Sequence, residues 1–92
     1  MNAIVTTEHR GVFYGHVPDD AEPGDGVLKI TNARMVVYWD ASIRGLPGLA
    51  ANGPGPKCRI SPAAPVISVC KITSIMQATD AAHANFEAEP WG

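Results

Sequence analysis

From Arg44 to Lys57 the chain reads Arg-Gly-Leu-Pro-Gly-Leu-Ala-Ala-Asn-Gly-Pro-Gly-Pro-Lys, and no other segment limits the fold as much. Four glycines and three prolines in fourteen residues exclude a long helix or an interior strand there. A short helix over 45–51 fits, because Leu46 and Leu49 are three apart and share a face. Pro47 is tolerated only in the first turn, so the helix is about two turns long. Asp40 or Ser42 can cap its start, Gly53 supplies the left-handed residue that ends it, and Pro54 prevents continuation. The prolines at 54, 56, 62 and 65 then predict a stiff, extended connection from Gly53 to Pro65.

Strand signals flank this punctuation. Arg10 to Val17 is β-branched and aromatic and stops at Pro18. Residues 18–26 read as a loop, with Asp25-Gly26 as a hairpin signal before a second strand over Val27 to Asn32. A tight turn at Asn32-Ala33 leads into Arg34 to Trp39, whose Met-Val-Val-Tyr-Trp run is the strongest strand signal in the chain. Val66 to Ala78 is long for one strand, and its apolar residues fall on both parities, which predicts a bulge or burial on both sides. Thr79 caps a terminal helix over Asp80 to Glu89, with Ala82 and Phe86 facing inward. Pro90 ends it and leaves Trp91 to dock on the body or on a neighbour. The expected class is α+β: an antiparallel sheet of four or five strands with a short central helix and a C-terminal helix, in a single domain over residues 1–92.

A chain of 92 residues builds one core at most, and self-association is an economical way to bury more apolar surface, so a homo-oligomer is expected. Charge is segregated. Residues 1–25 carry five acids against Arg10, residues 26–78 carry six bases against Asp40, and residues 79–92 carry three acids. With a formal net charge of −2 the chain lacks the overall basicity of a duplex nucleic-acid binder, whereas a pocket for one small anion needs only a few local cations. No apolar run approaches a membrane span, and the first ten residues show no basic start followed by a long apolar stretch. Cys58 and Cys70 match no metal or disulfide-scaffold spacing. The expected location is the cytoplasm, with two reduced thiols.

No residue set points to catalysis, metal binding or a cofactor. Gly48-x-x-x-x-Gly53 has the glycine spacing of a phosphate loop, but Pro54-Gly55 stands where Lys-Ser/Thr is required. His9, His16 and His83 have no partner at metal spacing. Binding signals are stronger. Tyr38 and Trp39 are adjacent in a strand and point to opposite faces, and Arg34 shares the parity of Tyr38, so a guanidinium and a phenol can meet one ligand. Arg44 stands at the start of the short helix, where free amides favour an anion. Lys57 and Arg59 could close the other side. Together these six are the candidate ligand-binding residues for a small anionic, nucleotide-like ligand, with cations on phosphate and a ring on the base.

Asn32-Ala33-Arg34 running into Tyr38-Trp39, followed by Arg44-Gly45, Gly48-Leu49-Ala50, Gly53-Pro54, Cys58-Arg59 and Pro90-Trp91, resembles a family of short, uncharacterised proteins encoded by phages and prophages. In size, build and cation–aromatic content the chain also has a looser similarity to viral sponge proteins. That resemblance implies a counter-defence protein in the host cytosol, one that sequesters a cyclic oligonucleotide or ADP-ribose-derived immune signal without cleaving it. The alternative is a phage protein–protein interaction module, either a structural accessory or a direct inhibitor of a host enzyme.

Overall fold

A computed structural model describes residues 1–8 and 10–88. Strands β1 (Asn2–Thr7), β2 (Val12–His16) and β3 (Leu28–Tyr38) come first. A 3-10 turn (Ala41–Ile43), helix α1 (Gly45–Asn52), strands β4 (Arg59–Ile60), β5 (Ala64–Val69) and β6 (Ile72–Gln77), and helix α2 (Asp80–Glu87) follow. The fold is α+β with an antiparallel sheet, one central helix and one C-terminal helix. The strand order is β4-β3-β2-β1-β6, and β5 pairs with the first half of β3 while β4 pairs with its end.

One link shapes the whole sheet. β5 lies beside β3 and β6 lies beside β1, with β2 between them, yet only Cys70 and Lys71 separate β5 from β6. In a flat sheet four strand spacings of ~4.8 Å would part them by about 19 Å. Three Cα steps of ~3.8 Å reach about 11 Å, so the sheet must curl until its two edges approach. Lys71 takes the left-handed conformation (φ 55°) at this reversal, and a bridge between Gly24 and Ile72 fastens the loop before β3 to the start of β6.

Curling gives the sheet two buried faces. Ala3, Val5, Val17, Ile30, Ala33 and Ile72 pack inside the curl, with Ile67 and Val69 of β5 and Ile75 of β6 against them. Ile4, Tyr14, Val36, Leu49, Ile60 and Phe86 form a second cluster between the outer face and the two helices. Successive residues of β1 therefore go to opposite cores, Ala3 and Val5 to one and Ile4 to the other.

The helices follow their predicted chemistry. Pro47 lies in the first turn of α1, Leu49 is buried and Leu46 half-buried on the same core, and Gly53 ends the helix at φ 80°. Thr79 caps α2, its hydroxyl accepting from the Ala82 amide at 3.1 Å, and Ala82 and Phe86 are buried. Capping of α1 differs from expectation. Arg44 is the N-cap, in the left-handed region at φ 68°, while Ser42 donates to Asp40 at 2.7 Å and neither side chain caps the helix.

Strand boundaries depart further from the expectation. Asn2–Thr7 is a strand that alternation does not reveal, because both of its faces are buried. Asn32 is left-handed (φ 49°) as the turn signal requires, but it kinks one continuous strand where two were expected: the β2–β3 register shifts between Tyr14 and His16. Val66 to Ala78 is two strands joined at Cys70-Lys71, and the extended connection contains the short β4. The predicted roles of Pro90 and Trp91, and His9, lie outside the described residues.

Candidate functional site

The six candidate residues divide between two places. β3 runs past the end of β2, and there Tyr38 pairs across the ladder with Arg59 of β4. The β3–β4 register shifts between Val36 and Tyr38, a bulge that brings the Tyr38 backbone opposite Arg59, so a phenol and a guanidinium project from this corner. Tyr38 is half exposed, and Arg59, Lys57 and Arg44 are exposed. The Ser42 hydroxyl holds the Asp40 carboxyl below the ordinary carboxylate value, and the charge of Lys57 adds in the same direction. Lys57 is therefore within electrostatic reach of Asp40. Arg44 follows directly from the 3-10 turn that Asp40 opens. Trp39 is half-buried against the core under the helices, so of the two adjacent rings Tyr38 is the one turned to solvent.

Arg34 lies elsewhere. Sequence parity puts it on the face of Tyr38, but a register shift falls between Val36 and Tyr38, and at 6% exposure Arg34 sits opposite Tyr14 in the ladder, with Nη1 donating to the Ser61 carbonyl at 3.3 Å. The same side chain cannot also reach a ligand held at the Tyr38–Arg59 corner without leaving the core.

Around Arg34 is a polar cluster that sequence reasoning missed. Tyr14 is buried with its ring stacked on Phe86, centroids 3.8 Å apart and planes 7° from parallel, and its hydroxyl is 2.5 Å from His83 Nδ1. Asn32 Nδ2 donates to Glu87 Oε1 at 3.2 Å. Three contacts from β2 and β3 thus meet one face of α2. The spacing of His83 and Phe86, three apart on a helix, was the available signal, but its partner Tyr14 is 69 residues away. Burial pushes the Tyr14 phenol above its ordinary value, Glu87 adds to the rise and Arg34 opposes it. With its hydroxyl engaged and its ring covered, Tyr14 clamps a helix; it is not placed to meet a substrate.

The sign of that shift makes a prediction. A phenol that resists ionising in the folded chain contributes stability that is whole below the unfolded value near 10 and declines as pH rises above it. The denaturation midpoint of the wild type should fall more steeply above pH 10 than that of Tyr14→Phe, even though the variant is less stable at pH 7. Parallel pH profiles would refute the buried-phenol account.

Two surface concavities are formed by other residues. One, of about 350 Å³, is walled by the loop from Pro18 to Leu28 and by Ile72. The other, of about 360 Å³, lies between α1 (Pro47, Ala50, Ala51) and the β6 end (Met76, Gln77, Thr79). None of the six candidates lines either. Among the described residues no group of three or more His, Cys, Asp or Glu could hold a metal ion, and no helix is long and apolar enough to cross a membrane.

A family model, domain of unknown function DUF6948, matches residues 1–86. The chain belongs to the DUF6948 family. The matched span runs from β1 to Phe86, so it takes in every strand, both helices' core contacts, the Tyr38–Arg59 corner and the Tyr14–Phe86 stack. No curated protein and no solved structure matches this DUF6948 chain.

Proposed function

We propose that this DUF6948 chain is a binding module that captures a small anionic, nucleotide-like ligand and holds it without cleaving it. The observation that carries the reading is the Tyr38–Arg59 pair: a half-exposed ring set opposite an exposed guanidinium at a bulge in the β3–β4 ladder, with Lys57 two residues before Arg59 and Arg44 after the 3-10 turn also exposed. A ring face takes a base and a fork of N–H donors takes a phosphate, so the pair offers both halves of nucleotide recognition. Arg34 supports this corner from the core, through its bond to the Ser61 carbonyl just beyond β4. The finer reading is a phage counter-defence protein that sequesters a cyclic oligonucleotide or ADP-ribose-derived immune signal in the host cytosol. It rests on the resemblance in motifs and build.

Calorimetry against cyclic di- and trinucleotides and cyclic ADP-ribose isomers should give heat with at least one, and the released ligand should be chemically intact. Removing one charged hydrogen-bond partner costs about 1.5–3 kcal/mol, so Arg59→Ala should weaken binding by roughly 10- to 150-fold. Absence of heat with every ligand, or turnover of any, would refute the proposal.

A second reading, a protein–protein module, is favoured by a different observation. Met35 and Val37 are 43% and 61% exposed on the opposite parity of the same strand. Two apolar side chains two residues apart and both left uncovered suit a protein partner. Stoichiometric recovery of one host or virion protein, lost in Val37→Asp and kept in Arg59→Ala, would select this reading over the first.

A further inference from the structure

The outer edge of β6 is an unprotected strand edge. Ile4 and Met76, like Thr6 and Ser74, are partners in the β1–β6 ladder, and the Ala78 amide donates to the Asn2 carbonyl. Antiparallel alternation then turns the amides and carbonyls of Ile75 and Gln77 away from β1. Among the described residues the edge is met by the Gly24–Ile72 bridge at its start and by α1 just past its end, where the Thr79 amide donates to the Ala50 carbonyl at 2.9 Å, and Ile75 and Gln77 between them have no backbone partner on that side. Proteins guard such edges with charge, proline or short strands. Here β4 has only two residues and β5 carries Pro65, whereas residues 72–79 have neither charge nor proline.

We infer that the β6 edge is the seat of a symmetric dimer, in which β6 of a second copy pairs antiparallel with it and the sheet continues across a two-fold axis. Three observations select a second copy. The strand is basic at its start and acidic just past its end, with Lys71 and Asp80 both exposed. Antiparallel pairing brings Lys71 of each copy toward Asp80 of the other, while parallel pairing would set like charges together. The outward donors and acceptors of Ile75 and Gln77 are also self-complementary. A register centred on Met76 matches Ile75 of one copy with Gln77 of the other on both sides of the axis. Finally, Met76 lines the uncharged concavity against Pro47, Ala50 and Ala51, so two such side chains would meet across the axis in apolar surroundings.

The inference is independent of the ligand proposal, since none of its residues lies at the Tyr38–Arg59 corner. Sedimentation or light scattering of the purified chain should show mass rising from 9.7 kDa toward twice that value with concentration. Lys71→Glu and Asp80→Lys should each weaken the dimer about tenfold, because symmetry places every reversal twice in the interface. Combining them restores attraction and should recover most of the loss. Gln77→Pro removes an outward amide and should leave a folded monomer by circular dichroism. A wild type that stays monomeric at millimolar concentration, a monomer whose β6 edge pairs only with an added peptide, or a dimer indifferent to the charge exchange would each overturn the assignment.

Discussion

Phe86→Ala should destabilise the chain by about 3–5 kcal/mol, the cost of deleting a fully buried aromatic ring. At roughly 4–8 °C per kcal/mol for a domain of this size, the melting temperature should drop by roughly 12–40 °C. Two effects add here. The ring fills the core between sheet and helices, and it stacks face to face on Tyr14 at 3.8 Å, which also aligns the Tyr14 hydroxyl with His83. Phe86→Leu keeps most of the volume and loses the stack, so its deficit should be less than half as large. Thermal denaturation of both variants measures the two parts. If Phe86→Ala cost under about 1 kcal/mol, α2 would not be held by this contact.

The second large effect reverses an ordinary rule. Gly-to-Ala inside a helix normally gains about 0.5–1 kcal/mol. At Gly48 a Cβ would sit 1.6 Å from the Ile43 carbonyl oxygen and 2.8 Å from its carbon, and both are backbone atoms that cannot rotate aside. Gly48→Ala should therefore cost about 2–3 kcal/mol or more through overpacking, by pushing α1 off the 3-10 turn. Ala51→Gly, at an exposed site in the same helix, should lose only the helix propensity of about 1 kcal/mol. Chemical denaturation of the pair checks the reversal. Equal stability of Gly48→Ala and wild type would mean that the turn and helix are not in contact as described.

Local chemistry was legible where a residue's role depends on its neighbours in sequence. Pro47, Gly53 and Thr79 bracket the helices as their side chains dictate, and Ala82 and Phe86 face inward because they lie one turn apart. Long-range chemistry was not. β1 goes unseen because strands buried on both faces lose their alternation, and Asn32 reads as a turn because one left-handed residue has the same signature in a kink. The candidate site divides along the same line. Strand parity ranks Arg34 with Tyr38, but the register shift after Val36 and the position of β2 leave one buried and the other open, which parity alone does not reveal. The pairing of Tyr38 with Arg59 depends on a two-residue strand that no propensity could reveal.

The two-residue link between β5 and β6 also sets an order of events in time. β1, which leaves the ribosome ahead of the other strands, is sandwiched between β2 and β6, and its ladder partners Met76 and Ile75 are synthesised some 70 residues later. Until then the inner core of Ala3, Val5 and Ile30 lacks the wall supplied by Ile72 and Ile75. Such non-local pairing slows folding, because loop closure must precede the contacts that reward it. Closure is thus a single late event, and a nascent chain halted before residue 72 would display an unfinished sheet for other strands to join.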